Sequence, residues 1–219
     1  MSLAIEVKDV CFSYGKREIL KNISLSVKEG EILVLTGESG CGKTTLCNIL
    51  CGVIPASVKG KLTGQVRIMG EDIAGASLAQ TAKRIGMVFQ NADHQIICTT
   101  VEDELAFAQE NLCVEPEKIR MEVDEMLARF RMEHLRLMNP ARLSGGQKKL
   151  VTIASTLMLN PPILVLDEPM TGLDKPGRDM VFDTIEKLHE AGKTLVIIEH
   201  DPALYPAGAR IVRMEEGRL

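Results

Sequence analysis

The stretch LVLTGESGCGKTTLCNIL, residues Leu33 to Leu50, joins an apolar run to a helix-patterned run through a glycine-rich turn. Its centre, Gly37-Glu38-Ser39-Gly40-Cys41-Gly42-Lys43-Thr44, fits G-x-x-x-x-G-K-[ST]. Ile32 to Leu35 reads as a buried strand before it, and Leu46, Ile49 and Leu50 follow at helical spacing. Glycines in such a turn let successive N–H groups converge on one centre, where the positive end of a helix favours an anion. Lys43 is then placed to reach the β- and γ-phosphates of a nucleotide, and the Thr44 hydroxyl to ligate Mg²⁺. A flexible turn without a ligand is the plain alternative, and the Lys-Thr pair with both flanks in register argues against it.

The remaining 201 of the 219 residues have the composition of an ordinary globular chain, since 45% of the whole is hydrophobic and 26% charged. Net charge is −4, and between Val101 and Arg136 ten acidic residues face five basic ones, so no basic field exists to collect nucleic acid. No apolar run nears the ~18 residues that cross a bilayer. The opening MSLAIEVKDV lacks a signal-peptide pattern, so a cytosolic chain is expected, with any membrane role exerted through a partner. Six cysteines without a C-x-x-C pair argue against a metal cluster or a disulfide framework. Cys47 and Cys51 read as small buried apolar groups. Cys41, inside the phosphate loop beside Lys43, is expected to be reactive, with alkylation blocking nucleotide binding.

Working outward, Leu3, Ile5, Val7 and Val10 mark an amino-terminal strand, and Ile23, Leu25 and Val27 alternate in a second. Between them lies Phe12-Ser13-Tyr14-Gly15, whose aromatic ring is taken to pack on a hydrophobic edge in preference to stacking on a base. Pro55 and the glycine-punctuated Ala56–Gly64 predict a surface loop, followed by a short strand Gln65–Met69. Ile85–Phe89 reads as a strand ending at Gln90, and Val101–Met138 as a run of helices. Leu143-Ser144-Gly145-Gly146-Gln147 opens another helix: Ser144 is a good N-cap, and the paired glycines suggest that something approaches the backbone, a second anion site.

Ile163–Leu166 is a strand of the kind buried in parallel sheets, delivering Asp167 and Glu168 at its carboxyl end. Asp167 is expected to hold Mg²⁺ and Glu168 to polarise an attacking water, a solvated turn being the bland alternative. Thr171-Gly172-Leu173-Asp174 leads into a helix reaching Glu190. Leu195–Ile198 ends at Glu199-His200-Asp201, which offers His200 as a γ-phosphate contact where a capping role is the other reading.

With Tyr14, Gly37–Thr44, Gln90, Leu143–Gln147, Ile163–Glu168, Leu173-Asp174 and His200 in this order, the chain resembles the nucleotide-binding domain of ATP-binding cassette (ABC) transporters over nearly its whole length. The LSGGQ pentapeptide is the most specific mark. The resemblance implies an α/β fold: a P-loop NTPase core of mainly parallel sheet, with an N-terminal antiparallel β subdomain and an inserted α-helical subdomain. As a single domain over 1–219, its core would be about 1–90 and 156–219, and its helical part about 91–155. It implies ATP and Mg²⁺ as ligands. Glu168, His200, Gln90 and Lys43 would be catalytic, and Thr44, Gln90 and Asp167 would meet the metal. ATP contacts would come from Tyr14, from Gly37, Glu38, Ser39, Gly40, Cys41, Gly42, Lys43, Thr44 and Thr45, and from Ser144, Gly145, Gly146, Gln147 and Asp174. Two such domains would close head to tail, the Ser144 and Gly146 of one meeting the phosphate held by Lys43 of the other.

The run Val88–Gln95 and the FSYG stretch look like the energy-coupling factor (ECF) branch, importers of cobalt, nickel and vitamins, although Ala92 stands where a proline is expected. Met170 and the Lys148-Lys149 pair depart from the family's usual residues, in positions taken to be outside the chemistry. The implied protein is a cytoplasmic ATPase subunit held at the membrane face by an integral membrane subunit and paired with a second ATPase subunit. The rivals are the ATPase of an ordinary importer or exporter and a soluble cassette protein acting on ribosomes or DNA. The long Pro55–Gly64 connection and the stop at Leu219 suggest one half of a tandem ATPase, or a protein that dimerises only through ATP and its membrane partner.

Overall fold

In the computed structural model, which describes residues 2–219, two sheets share one chain. The amino-terminal strands β1 (Leu3–Tyr14) and β2 (Arg17–Lys28) form an antiparallel pair. The chain then enters β3 (Ile32–Thr36) and helix α1 (Lys43–Leu50), makes a short turn of helix α2 (Val53–Ala56), and returns to the first sheet in β4 (Lys61–Ile68) and β5 (Glu71–Asp72). After α3 (Leu78–Ala82) come β6 (Ile85–Val88), helices α4 (Val101–Asn111), α5 (Pro116–Arg129) and α6 (Gly145–Leu157), then β7 (Ile163–Asp167), α7 (Lys175–Glu190), β8 (Thr194–Ile198) and β9 (Arg210–Arg213). The antiparallel sheet runs β2-β1-β4-β5, and the second, parallel sheet runs β6-β7-β8-β3-β9.

Alternation along the parallel strands builds two cores from one sheet. Leu33, Leu35, Ile163, Val165, Val196 and Ile198 face the antiparallel sheet and α1, against Ile5, Val10, Phe12, Leu46 and Ile49. Ile32, Val34, Leu164, Leu166, Leu195 and Ile197 face the other way, onto α4, α6 and α7. Burial on both faces is why these strands read as unbroken apolar runs. Each fully buried side chain of this kind contributes about 1.5–3 kcal/mol relative to exposure. The segment 91–155 shares this second core with the sheet: α5 packs against α4 and contributes Ile119, Val123 and Leu127 to it.

One expected loop is partly strand. The connection taken to extend to Gly64 ends at Gly60, because β4 starts at Lys61 and pairs through Leu62 and Thr63 with Phe12 and Cys11 of β1. Gly64 (φ +89°) sits where that pairing shifts register; a Cβ there would lie 2.5 Å from the Asp9 carbonyl oxygen and 2.6 Å from that of Lys8. The glycine marks a β-bulge with close backbone approach, and in a sequence such a glycine resembles a loop residue.

Candidate functional site

The carboxyl ends of β3, β6, β7 and β8 carry the motif residues, as the crevice rule for open parallel sheets requires. Helix α1 begins behind Gly42 (φ +115°), with no side-chain cap on its first amides. Gly37 (φ +141°), Gly40 (φ +80°) and Gly42 give the loop its curl. Gly37 is also sterically obligatory, a Cβ there falling 2.1 Å from the Met214 carbonyl oxygen, while one at Gly42 would press on the Leu20 side chain, 2.8 Å from its Cδ2. Lys43 is 8% exposed and donates to the carbonyls of Gly37 (2.7 Å) and Glu38 (2.9 Å), which holds its ammonium across the loop. Cys41 Sγ lies 3.8 Å from the same ammonium. A cleft of about 860 Å³ opens beside the loop, lined by Glu38, Ser39, Gly40 and Cys41 on one side and by Arg213, Met214 and Arg218 on the other.

Thr44 Oγ1 donates to Asp167 Oδ2 at 3.1 Å, joining the α1 tip to the end of β7. Burial pushes the Asp167 carboxyl up, the Thr44 hydrogen bond opposes this, and the Glu168 charge adds to the rise. Among the described residues no three His, Cys, Asp or Glu side chains converge as a metal cage. The hydroxyl and carboxylate of Thr44 and Asp167 are hard oxygen donors and fit Mg²⁺, which usually takes one or two protein oxygens with the rest from water and phosphate.

Glu168 occupies the left-handed region (φ +41°), and its amide donates to the Ile198 carbonyl at 3.0 Å. A non-glycine residue held there is a local strain that packing must over-determine, a feature that clusters at functional sites. Three side chains meet its carboxylate. Gln90 Nε2 donates to Oε2 at 2.7 Å, Thr171 Oγ1 donates to the same oxygen at 3.1 Å, and His200 Nδ1 stands 3.8 Å from Oε1. Gln90, Glu168 and His200 thus converge, although 110 residues separate the first from the last.

Ser144 caps α6 in a reciprocal box: Gln147 N donates to Ser144 Oγ (3.3 Å) and Ser144 N to Gln147 Oε1 (3.0 Å). The paired glycines also have a packing cause within the chain. A Cβ on Gly146 would sit 2.7 Å from Gly177 Cα, so what approaches the backbone here is α7, and a Cβ on Gly145 would meet Leu173 Cδ2 at 3.1 Å. Asp174 caps α7, its Oδ1 accepting from Gly177 N at 3.0 Å. Tyr14 is 39% exposed, set edge-on to the buried Phe12 with ring centroids 4.7 Å apart. Phe12 does the packing expected of an aromatic here, Tyr14 leaves a face open, and the cleft beside the phosphate loop is lined without it.

Sequence reasoning passed over four contributors. Lys149, taken to lie outside the chemistry, is 2% exposed and donates to the carbonyls of Phe89 and Gln90, both at 2.7 Å. Burial pushes its ammonium down to about 8, against the pull of Asp167. Its position four residues before Ile153, on the apolar face of α6, was the available signal. Gln95 accepts from Phe89 N (3.0 Å) and donates to the Met87 carbonyl (3.1 Å). Glu199 is fully buried; its Oε1 accepts from His200 N (2.8 Å) and Asp201 N (3.1 Å), and its Oε2 has no partner among the described residues. Thr171 completes the Glu168 contacts. Met170, the other departure from the family's usual residue, is 1% exposed and belongs to the second core.

A family model described as ABC transporter matches residues 20–171. The chain is 40% identical, over 222 residues, to a putative ABC transporter ATP-binding protein of Methanosarcina mazei, covering all of this chain and 38% of that protein. It is 38% identical to the energy-coupling factor transporter ATP-binding protein EcfA1 of Clostridium novyi, covering 98% of this chain and 78% of the relative. Among solved structures it is similar to CbiO1 of Clostridium perfringens, part of the ABC transporter complex CbiONQ, with a TM-score of 0.86, 30% identity and coverage of 100% and 87%. The chain spans little more than a third of the M. mazei relative.

Proposed function

The chain belongs to the ABC transporter family, and we propose that it is the ATP-hydrolysing subunit powering a membrane transporter, an ECF-type importer of a metal ion or vitamin. The supporting observation is the convergence of Gln90, Thr171 and His200 on the Glu168 carboxylate, one residue beyond the Asp167–Thr44 pair. In this reading the uncapped amides of α1 and Lys43 bind the phosphates, and Tyr14 stacks on the base. Thr44, Asp167 and Gln90 would hold Mg²⁺, which when bound neutralises charge on the transferred phosphoryl group. Glu168 takes the proton of the attacking water as the water oxygen bonds to the γ-phosphorus and the bond from that phosphorus to the bridging β-phosphate oxygen breaks, releasing ADP and phosphate, Gln90 and Thr171 fixing the carboxylate that receives the proton. His200 contacts the γ-phosphate.

Ser144 and Gly146 would complete the site of a second ATPase subunit, the helical segment about 91–155 carrying them toward it. The likeness to EcfA1 and to CbiO1 supports the ECF branch, a membrane subunit as partner, and a place on the cytoplasmic face of the membrane. Among the described residues no helix is long and apolar enough to cross a bilayer, so that place would depend on the partner. The experiment is phosphate release with Mg-ATP by the wild type and by Glu168→Gln. Turnover should fall roughly 10²–10⁴-fold, the usual worth of a positioned base, with ATP affinity kept. Equal losses of binding and turnover, or no hydrolysis by the wild type with its partners present, would overturn the reading.

A further inference from the structure

We propose that Lys149 is a positioning residue that ties helix α6, and with it the Ser144 tip, to the backbone of Gln90, so that α6 and the Glu168 contact move together. The inference rests on the reading of Gln90 and Glu168 as a hydrolytic pair.

The Lys149 ammonium is buried, yet among the described residues no carboxylate lies within ion-pair distance of it. Its two partners are the carbonyls of Phe89 and Gln90, each at 2.7 Å. Burying a cation is costly, and an apolar side chain of the same length would fill the space at less cost if packing were all that mattered. What a cation adds is strong, directed donation to two successive carbonyls of the one peptide stretch that aims Gln90 at Glu168.

The grip extends along α6. Lys148 Nζ pairs with Asp93 at 2.7 Å, and Thr156 Oγ1, two turns further on, accepts from Gln95 Nε2 at 3.3 Å while Gln95 holds the Phe89 amide. Residues 89–95 are therefore fastened to α6 at Lys148, Lys149 and Thr156. Gln90 in turn touches Glu168 only through its side chain. A displacement of α6 carries the Gln90 backbone with it and withdraws Nε2 from the carboxylate.

Lys149→Met keeps an unbranched chain as far as Cε and removes the donor, Lys149→Arg keeps a donor, and each is made in the wild-type and Gln90→Ala proteins. Turnover number, KM and ATP affinity are measured, with thermal melting as the check on folding. Lys149→Met should lower kcat about tenfold or more, as misplacement of a catalytic group does, with KM and affinity within threefold. Lys149→Arg should recover most of the loss. In the Gln90→Ala background Lys149→Met should cost less than twofold, because residues acting through one contact are non-additive. Multiplying losses in the double variant, or an unchanged kcat in a folded Lys149→Met protein, would overturn the proposal. Amide hydrogen exchange over residues 89–95 provides a readout that needs no hydrolysis. It should quicken at least tenfold in Lys149→Met while β7 stays protected, and equal exchange overturns the proposal even if the ATPase reading itself has failed.

Discussion

Helices α1 and α6 both begin at a glycine-rich turn, and their first turns are finished in opposite ways. At α1 no side chain caps the first amides, the preceding residue is a left-handed glycine, and the nearest cation is drawn across the loop. At α6 the serine and glutamine close a reciprocal box, and the second glycine lies against the start of α7. The first tip leaves its donors free for a ligand within its own chain. The second closes its cap with its own side chains, and its second glycine also serves the packing against α7. A glycine-rich helix start is thus ambiguous until its neighbours are known.

Substitutions at the two tips should therefore separate binding from stability. The largest effect is expected from Lys43→Ala, which should weaken ATP binding roughly 10- to 150-fold, the worth of a hydrogen bond to a charged group. Its melting point should fall by no more than about 4 °C. A large loss of stability with affinity retained would place this lysine with the scaffold. Gly146→Ala should do the reverse. The new methyl meets Gly177 backbone that cannot rotate away, at about 1–3 kcal/mol for such overpacking, so melting should drop by roughly 2–4 °C per kcal/mol, with ATP affinity of the unpaired subunit, whose own site lacks Gly146, within twofold. An undisturbed melting point would mean that the helices separate freely.

Ser144→Ala should cost about 1 kcal/mol as a lost cap, and Ser144→Asn should restore that stability. If turnover returns with it, Ser144 is a cap and nothing more; if turnover stays low, the hydroxyl has a task beyond its own helix. The smallest effect belongs to a site away from both tips. Burial pushes the Glu31 carboxyl up, but Arg210 and the Lys28 amide outweigh it and hold it below the usual carboxylate range. Stability from this group is therefore present above the ordinary carboxylate pKa and lost as pH falls through the lowered folded value. Wild type should exceed Glu31→Gln by a few tenths of a kcal/mol at neutral pH, the usual scale for a partly exposed pair, and the two should converge in acid melts.

Much of this site was legible because its reading is local. Lys43, Thr44, Asp167 and Glu168 sit at fixed spacing from apolar runs, and the strand that presents each is announced by the residues beside it. Lys149 and Gln95 were illegible for the opposite reason. Lys149 bonds carbonyls about 60 residues away, and the Gln95 side chain bridges the end of β6 and α6. Glu199 was visible only as one acid among polar neighbours, its full burial depending on where β8 ends. Gly64 and Gly146 show a further limit. Both carried the usual signal of a bare backbone, and what fills the space beside each is another strand or helix, brought there by tertiary packing.

The order β6-β7-β8-β3 rearranges these groups from their order along the chain: read across the sheet they run Gln90, Glu168, His200, phosphate loop. Steps of about 4.8 Å between neighbouring strands make this a ruler roughly 14 Å long. The three inner marks are each braced by ladders on both sides, while β6, at the margin, hangs from β7 alone. The outermost mark therefore has the fewest ladders to hold it within the sheet, and a tug delivered through α6, to which residues 89–95 are fastened, reaches the Glu168 carboxylate against one seam of the sheet.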